Sequence, residues 1–493
     1  MTVLAHRSDT VTRDALAVLQ PGFEGTIAPA WLLRQVGEGL TAVGLFGRNI
    51  ASPAQLAALT AQLRAERDDV LVAIDEEGGD VTRLEVRGGS SFPGNLALGA
   101  VDDIALTREV ARELGRRLAE CGVNLNWAPS ADVNSNPDNP VIGVRSFGAD
   151  THLAARHTAA YIEGLQAAGV AACTKHFPGH GDTNVDSHHA LPRIDADLDT
   201  LQARELVPFR AAVEAGTKAV MSAHILVPAL DPTRPATLSP QILTGLLRKE
   251  LGYEGLIVTD GMEMNAIAGT YGIERGSVLA VAAGADAICV GGGLADEATV
   301  LRLRDALVAA VREGSLPEER LADAAARVRA LAEWTRRVRP AALPEGSGAS
   351  GIGLTAARRA LVITGRASRI SAPYVATLAP VANIAVGDET PWGVAAELAG
   401  LLPGTGSGVY PEGSAAGDVL AAAGDRTVVA VVRDAHRHRW MTEALDALVA
   451  ARPDTVVVEM GLPRAEPCGA LHIVTHGASR VSGRAAAEII AGV

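Results

Sequence analysis

The sequence predicts an α/β protein: a (β/α)8, TIM-like barrel followed by a smaller doubly wound α/β sandwich domain. Three observations predict it. Short apolar runs recur along the first two thirds of the chain with helical stretches between them, the alternation that gives parallel strands covered by helices. Charged residues stand directly after four of these runs. A Pro-, Gly- and Ser-rich segment, PAALPEGSGASG, then separates this series from a second one. The boundaries that follow are 1–339 for the barrel, 340–351 for a linker and 352–493 for the sandwich.

The strand-like runs are Ala42 to Phe46, Val70 to Ile74, Val123 to Ala128, Val170 to Thr174, Ala219 to Ala223, Leu256 to Thr259 and Ala287 to Val290, preceded by a weaker start at Phe23 to Thr26. They make about eight β-then-α units, the number that closes a barrel, and in such a barrel the chemistry sits at the carboxyl ends of the strands. The polar residues stand there. Asp75-Glu76-Glu77-Gly78-Gly79 follows the run ending at Ile74, Asp132 and an Asn- and Pro-rich loop carrying Arg145 follow Ala128, His224 follows Ala223, and Asp260 follows Thr259. The periodic stretch Leu316 to Arg337 reads as the closing helix. Beyond the linker, LVITG, ANIAVG, TVVAVV, TVVVEMG and HIVTHG alternate with Ala-rich helices such as Met441 to Ala450, so about five strands are expected in an open sheet. The piece PGTGSG at 403–408 lacks the full GxGxxG and follows no convincing strand, so no dinucleotide cofactor is expected.

Composition excludes several partners. With 44 Lys and Arg against 57 Asp and Glu, the net charge of −13 repels phosphate backbones and anionic membranes, so neither nucleic acid nor membrane is an expected partner. The first twenty residues carry charges every few positions, and no later uncharged apolar run reaches about 18 residues, which predicts a cytoplasmic protein. Cys121, Cys173, Cys289 and Cys468 show no CxxC spacing and read as reduced thiols.

Lys175 to Pro192, KHFPGHGDTNVDSHHALP, gathers more ionisable and turn-forming residues than any other stretch. In Asp186-Ser187-His188 the carboxylate can hold one imidazole nitrogen and leave the other for proton transfer. The same residues also allow a metal site made of His180, Asp182, Asp186, His188 and His189, or a solvated loop. Asp260 reads either as a group facing the barrel mouth or as a helix cap, and Asp75 either as a ligand or as an ion-pair partner of Arg83. A mixture of Asp75, which accepts, with Lys175 and Arg145, which donate, suits a polyhydroxylated ring better than an anion.

The loop resembles the signature of family 3 glycoside hydrolases, in the β-N-acetylglucosaminidase branch, whose members carry KHFPGHGDT followed by DSH. The segment TDGM is similar to that family's (S/T)D(D/A/G)(L/M) motif. This resemblance implies that Asp260 is the nucleophile, that His188, oriented by Asp186, is the acid/base, and that Asp75, Arg145, Lys175 and His176 bind sugar hydroxyls. Asp132 and His224 stand at the right strand ends and either join them or only orient the others. It implies an exo-acting β-N-acetylglucosaminidase that releases terminal GlcNAc, from peptidoglycan-derived muropeptides given the expected location, through a covalent glycosyl-enzyme. Neither cofactor nor metal is expected. A phosphorylase using inorganic phosphate to give GlcNAc 1-phosphate is the alternative, and a non-catalytic sugar-binding protein the second. With a dyad already on the barrel, the second domain is expected to be structural or a lid, with Glu459 its one candidate contact.

Overall fold

The computed structural model describes residues 2–186, 191–338, 351–381, 386–387 and 389–493, with side chains from Thr10 onward. His188 and His189, nearly all of the 340–351 segment and most of the ANIAVG run lie outside the described residues. The chain forms two compact units: Met1–Glu76 with Thr107–Pro140 and Ala149–Glu345, and Glu77–Leu106 with Val141–Gly148 and Gly346–Val493. Two stretches of the first 339 residues thus group with the C-terminal chain.

The first unit is the barrel. Its strands are β1 (Leu19–Pro21), β2 (Ala42–Leu45), β3 (Leu71–Ile74), β4 (Leu125–Asn126), β5 (Ala171–Phe177), β6 (Ala219–Ser222), β7 (Leu256–Thr259) and β8 (Ile288–Val290). From β2 to β7 they pair in parallel and in chain order, β1 pairs with β8, and a parallel bridge from Val258 to Ala287 joins β7 to the start of β8. Helices such as Thr151–Ala167 and Glu297–Glu313 follow the strands. Side chains alternate along a strand. Leu71 and Ala73, Leu125 and Trp127, Ala171 and Cys173, Ala219 and Met221, Leu256 and Val258, and Ala287 and Cys289 therefore share one interior, packed with Val328, Leu331 and Ala332 of the helix Glu318–Arg337. Burying one large apolar side chain there contributes about 1.5–3 kcal/mol. The interior is tight: a Cβ on Gly44 would lie 2.9 Å from the Trp127 ring.

One expectation fails here. The first strand is Leu19–Pro21, not Phe23 to Thr26, because its three residues continue an apolar run out of the helix Thr2–Ala17 and show no alternation of their own.

The second unit holds β9 (Val362–Gly365), β10 (Tyr374–Ala379), β11 (Gly406–Pro411), β12 (Val428–Val432), β13 (Val456–Glu459) and β14 (Leu471–Val474). Their order is 11-10-12-13-14-9, parallel except for β9 against β14. Both faces are covered, which explains unbroken apolar runs such as VVAVV. Val375, Val429, Val431 and Val458 pack on one face, and Ala376, Val428, Ala430 and Val457 on the other. The glycine-rich GSGVYP is itself the edge strand β11. Among the described residues no helix is long and apolar enough to cross a membrane.

Candidate active site

Two residues further along each inward series, the chain leaves the apolar interior. Leu71 and Ala73 lead to Asp75, Ala171 and Cys173 to Lys175, and Leu256 and Val258 to Asp260. The thiols below register these charges. Burial pushes Cys173 far up, with Lys175 opposing and Asp75 and Asp260 adding to it. Cys289 is pushed up by burial and then by Glu263, Asp260 and Asp75. Three polar side chains from three strands thus stand over one floor.

Lys175 Nζ donates to Asp75 Oδ1 at 2.5 Å. The Lys175 side chain is 2% exposed and that of Asp75 24%. A buried ammonium needs a paired anion, and this carboxylate keeps part of its surface for hydroxyl donors. Along β5 the register slips, Thr174 pairing with Val220 but Phe177 with Ser222. Such an irregularity re-aims side chains. Between these pairs lie both Lys175 and His176, the one directed at Asp75 and the other at Asp132.

Asp132 is a hub. Its Oδ2 lies 2.7 Å from His176 Nδ1 and accepts from Ser130 Oγ at 2.9 Å, while Oδ1 accepts from the backbone N–H of His180 at 2.7 Å and of His176 at 3.2 Å. Burial alone would raise this carboxyl, but the charge and hydrogen bond of His176 and the contacts of His180 outweigh it and bring it down to about 2. The anion in turn fixes the His176 ring. His180 is 2% exposed, its two ring nitrogens have no hydrogen-bond partner among the described residues, and burial followed by the His176 charge lowers it to about 4.

The loop after β5 is held from both sides. Asn139 Nδ2 donates to the carbonyls of His180 and Gly181 at 2.9 and 3.0 Å. A Cβ on Gly181 would lie 1.7 Å from the Val133 carbonyl oxygen, so only glycine lets the loop approach β4's extension so closely. Arg204 pairs with Asp182 at 2.5 Å and with Glu205 at 2.6 Å. Burial lifts Glu205 to about 7 against the Arg204 charge. Asp186 is half-buried at the end of this anchored stretch. Among the described residues no three His, Cys, Asp or Glu stand where they could hold a metal ion.

Asp260 is half-buried directly after β7, and its Oδ1 accepts from the Gly261 N–H at 2.8 Å. The next peptide is pinned. His224, fully buried, lies with Nε2 3.0 Å from the Gly261 carbonyl, which can only accept, so Nε2 is the donor; its Nδ1 lies 2.8 Å from Thr237 Oγ1. Glu263 Oε1 accepts from the backbone N–H groups of Gly291, at 2.9 Å, and of Gly292. It ties the loop after β7 to the glycine turn after β8.

Asp75, Lys175, His176, Asp132, Asp186, His224 and Asp260 therefore belong to the first unit. Asp132 and His224, counted with the sugar ligands from sequence, hold other protein groups of the site. Arg145 belongs to the second unit, where it is 7% exposed and makes a two-pronged ion pair with buried Glu77, Nη2 to Oε1 at 2.7 Å and Nε to Oε2 at 3.1 Å. Glu459 is 1% exposed and turned onto backbone N–H groups of its own unit, which removes it as a contact. Sequence reasoning missed Glu77, Glu205 and Glu263. The run of three acids after β3 and the three glycines after β8 were their signals, since a buried arginine needs an anion and consecutive free N–H groups need an acceptor.

The sequence profile of the glycosyl hydrolase family 3 N terminal domain matches residues 32–331. A β-hexosaminidase A from Pseudoalteromonas piscicida is 38% identical over 312 residues, 58% of this chain and 52% of that protein, so the chain spans about half of that relative's length. A β-hexosaminidase from Neisseria meningitidis serogroup C is 37% identical over 254 residues, 50% of this chain and 70% of that one. The solved structure of a family 3 β-N-acetylglucosaminidase from Paenibacillus sp. aligns with a TM-score of 0.86 at 34% identity, covering 98% of this chain and 96% of that one.

Proposed function

The chain belongs to glycosyl hydrolase family 3, and from that membership we propose that it is a retaining, exo-acting β-N-acetylglucosaminidase. Its substrate is a saccharide with terminal GlcNAc, of the kind found in peptidoglycan-derived muropeptides, met in the cytoplasm. In this reading Asp260 attacks the anomeric carbon as the bond to the aglycone oxygen breaks, and His188, oriented by Asp186, gives that oxygen a proton. Water then attacks the same carbon, passes its proton to His188 and releases the Asp260 carboxylate. Asp75, Lys175 and His176 hold the ring hydroxyls together with Arg145, while Asp132 and His224 keep His176 and the Asp260 loop in place.

The observation that supports this reading is the Asp75–Lys175 ion pair, formed by residues at the carboxyl ends of β3 and β5, with Asp260 directly after β7. The pair offers hydroxyl acceptors without net charge, so the attacking carboxylate faces an oxocarbenium-like centre without a second bare anion beside it. A slow 5-fluoro GlcNAc substrate is expected to leave a mass adduct on the peptide containing Asp260. Absence of any adduct, together with tight inhibition by a thiazoline mimic, would assign the attack to the substrate's own acetamido oxygen instead. Running the same digestion in phosphate and in a non-nucleophilic buffer separates hydrolysis from formation of GlcNAc 1-phosphate.

A further inference from the structure

The C-terminal chain grips the loop that holds Arg145. Within the second unit, Asp80 is 6% exposed, forms an ion pair with Arg433, and its Oδ1 accepts from the Ala478 N–H at 2.7 Å. The Arg433 guanidinium itself lies 5.9 Å from the centre of the Trp392 ring. Asp80 sits in a tight turn whose two ends meet: the Glu77 N–H donates to the Val81 carbonyl at 3.1 Å, and Gly78 bridges Val81. Between them Gly78 and Gly79 have φ of 78° and 64°, a region side chains rarely adopt, and a Cβ on Gly79 would meet Gly94 at 2.4 Å. The turn has little freedom to rotate. Glu77 at one end of it makes the two-pronged pair with Arg145.

A second route reaches the same arginine. Asn95 Nδ2 donates to the Arg145 carbonyl at 2.7 Å, and Leu96, Val144 and Leu462 form one buried apolar cluster, so Leu462 of the C-terminal chain packs beside the residue preceding Arg145. A guanidinium recognises a partner by the fixed plane of its donors, and a shift of its carboxylate clamp changes that plane.

We propose that Asp80 is a positioning residue for sugar binding, through which the C-terminal chain sets the orientation of the Glu77–Arg145 pair. The inference rests on the reading of Arg145 as a sugar ligand. It gives the C-terminal chain a task in sugar binding without placing any of residues 346–493 on the substrate.

The test is a double-mutant cycle on the full chain with 4-nitrophenyl β-GlcNAc. Asp80→Asn keeps an acceptor for the Ala478 N–H but removes the charge facing Arg433. The expected result is a rise in KM of about tenfold with kcat nearly unchanged, and a further effect below about twofold when Arg145 is already alanine. Arg433→Lys, which keeps the charge but not the planar fork, is expected to raise KM in the same direction by a smaller factor, and it serves where Asp80→Asn does not fold. Equal losses from Asp80→Asn in both backgrounds overturn the proposal, as does an unchanged KM in a protein that Arg145→Ala cripples. An Arg145→Ala variant with full kcat/KM overturns the reading of Arg145 itself, and the proposal with it.

Discussion

Asp260 and Glu459 are alike on paper. Each ends an apolar parallel strand and each has a glycine within two residues, in LIVTDGMEM and TVVVEMG. Their surroundings differ. Asp260 is half-buried, and its Oδ1 accepts from the N–H of Gly261, the next residue in the chain. Glu459 is closed in: its Oε1 accepts from the N–H groups of Asp434 at 2.9 Å and Gly461 at 2.7 Å, and its Oε2 from Ala435 at 3.1 Å. Burial and then the Asp434 charge lift it to about 7. A strand-end carboxylate becomes a structural tie when the chain folds back and covers its lone pairs with N–H groups, as it does around Glu459.

The largest expected contrast comes from neutralising each in turn. Asp260→Asn is expected to lower turnover roughly 10⁴-fold or more, while its unfolding free energy stays within about 0.5 kcal/mol of the parent. Glu459→Gln is expected to do the reverse, losing about 1–3 kcal/mol of stability because one oxygen becomes a donor facing donors. Its kcat should hold within about threefold, which is the scatter left when no reacting group is touched. Denaturant unfolding and initial rates on both variants decide the matter; an inactive but stable Glu459→Gln protein would erase the distinction.

Next in size is the loop after β5. His188→Ala is expected to slow substrates with poor leaving groups by about 10²–10⁴-fold and to spare activated aryl glycosides, since only the former need a proton at the departing oxygen. Equal losses along a leaving-group series would give Asp186 and His188 another task.

The last contrast separates buried from open groups by pH. His180 is held near 4 in the folded chain, against 6.5 when exposed, so the unfolded chain takes the proton first as pH falls. Stability should therefore rise between about pH 4 and 6.5, by about 3 kcal/mol from this group alone. His180→Asn should flatten that slope in urea unfolding measured at pH 4.5 and 7. An undiminished slope would show that other groups produce it.

What the sequence made legible follows from locality. Seven of the barrel strands could be read because each is buried on both sides and appears as an unbroken apolar run. By contrast β1 was displaced by its merger with the preceding helix, and β10 and β11 were missed because YVATLA adjoins a second apolar run and GSGVYP reads as a turn. Asp75, Lys175 and Asp260 could be picked out as candidates because a strand end followed by a charge is a local pattern. Glu77 and Glu263 were not, since their partners Arg145 and the Gly291–Gly293 turn lie far along the chain or act through backbone atoms, which leave no mark in side-chain identity, and Glu205 was not, since its burial beside its neighbour Arg204 shows only in the fold. The grouping of residues 77–106 with the C-terminal chain is of the same kind: it depends on pairs such as Asp80 with Arg433, 353 positions apart.

The two cysteines of the barrel interior acquire a use of their own. Cys173 and Cys289 carry their protons tightly, because burial and the carboxylates above them both disfavour the thiolate, and the thiolate is the form that reacts. An alkylating reagent added to the native protein meets them only when the strands part. Their labelling rate is then a clock on the opening of the barrel, already built in and readable by mass spectrometry without any engineered probe.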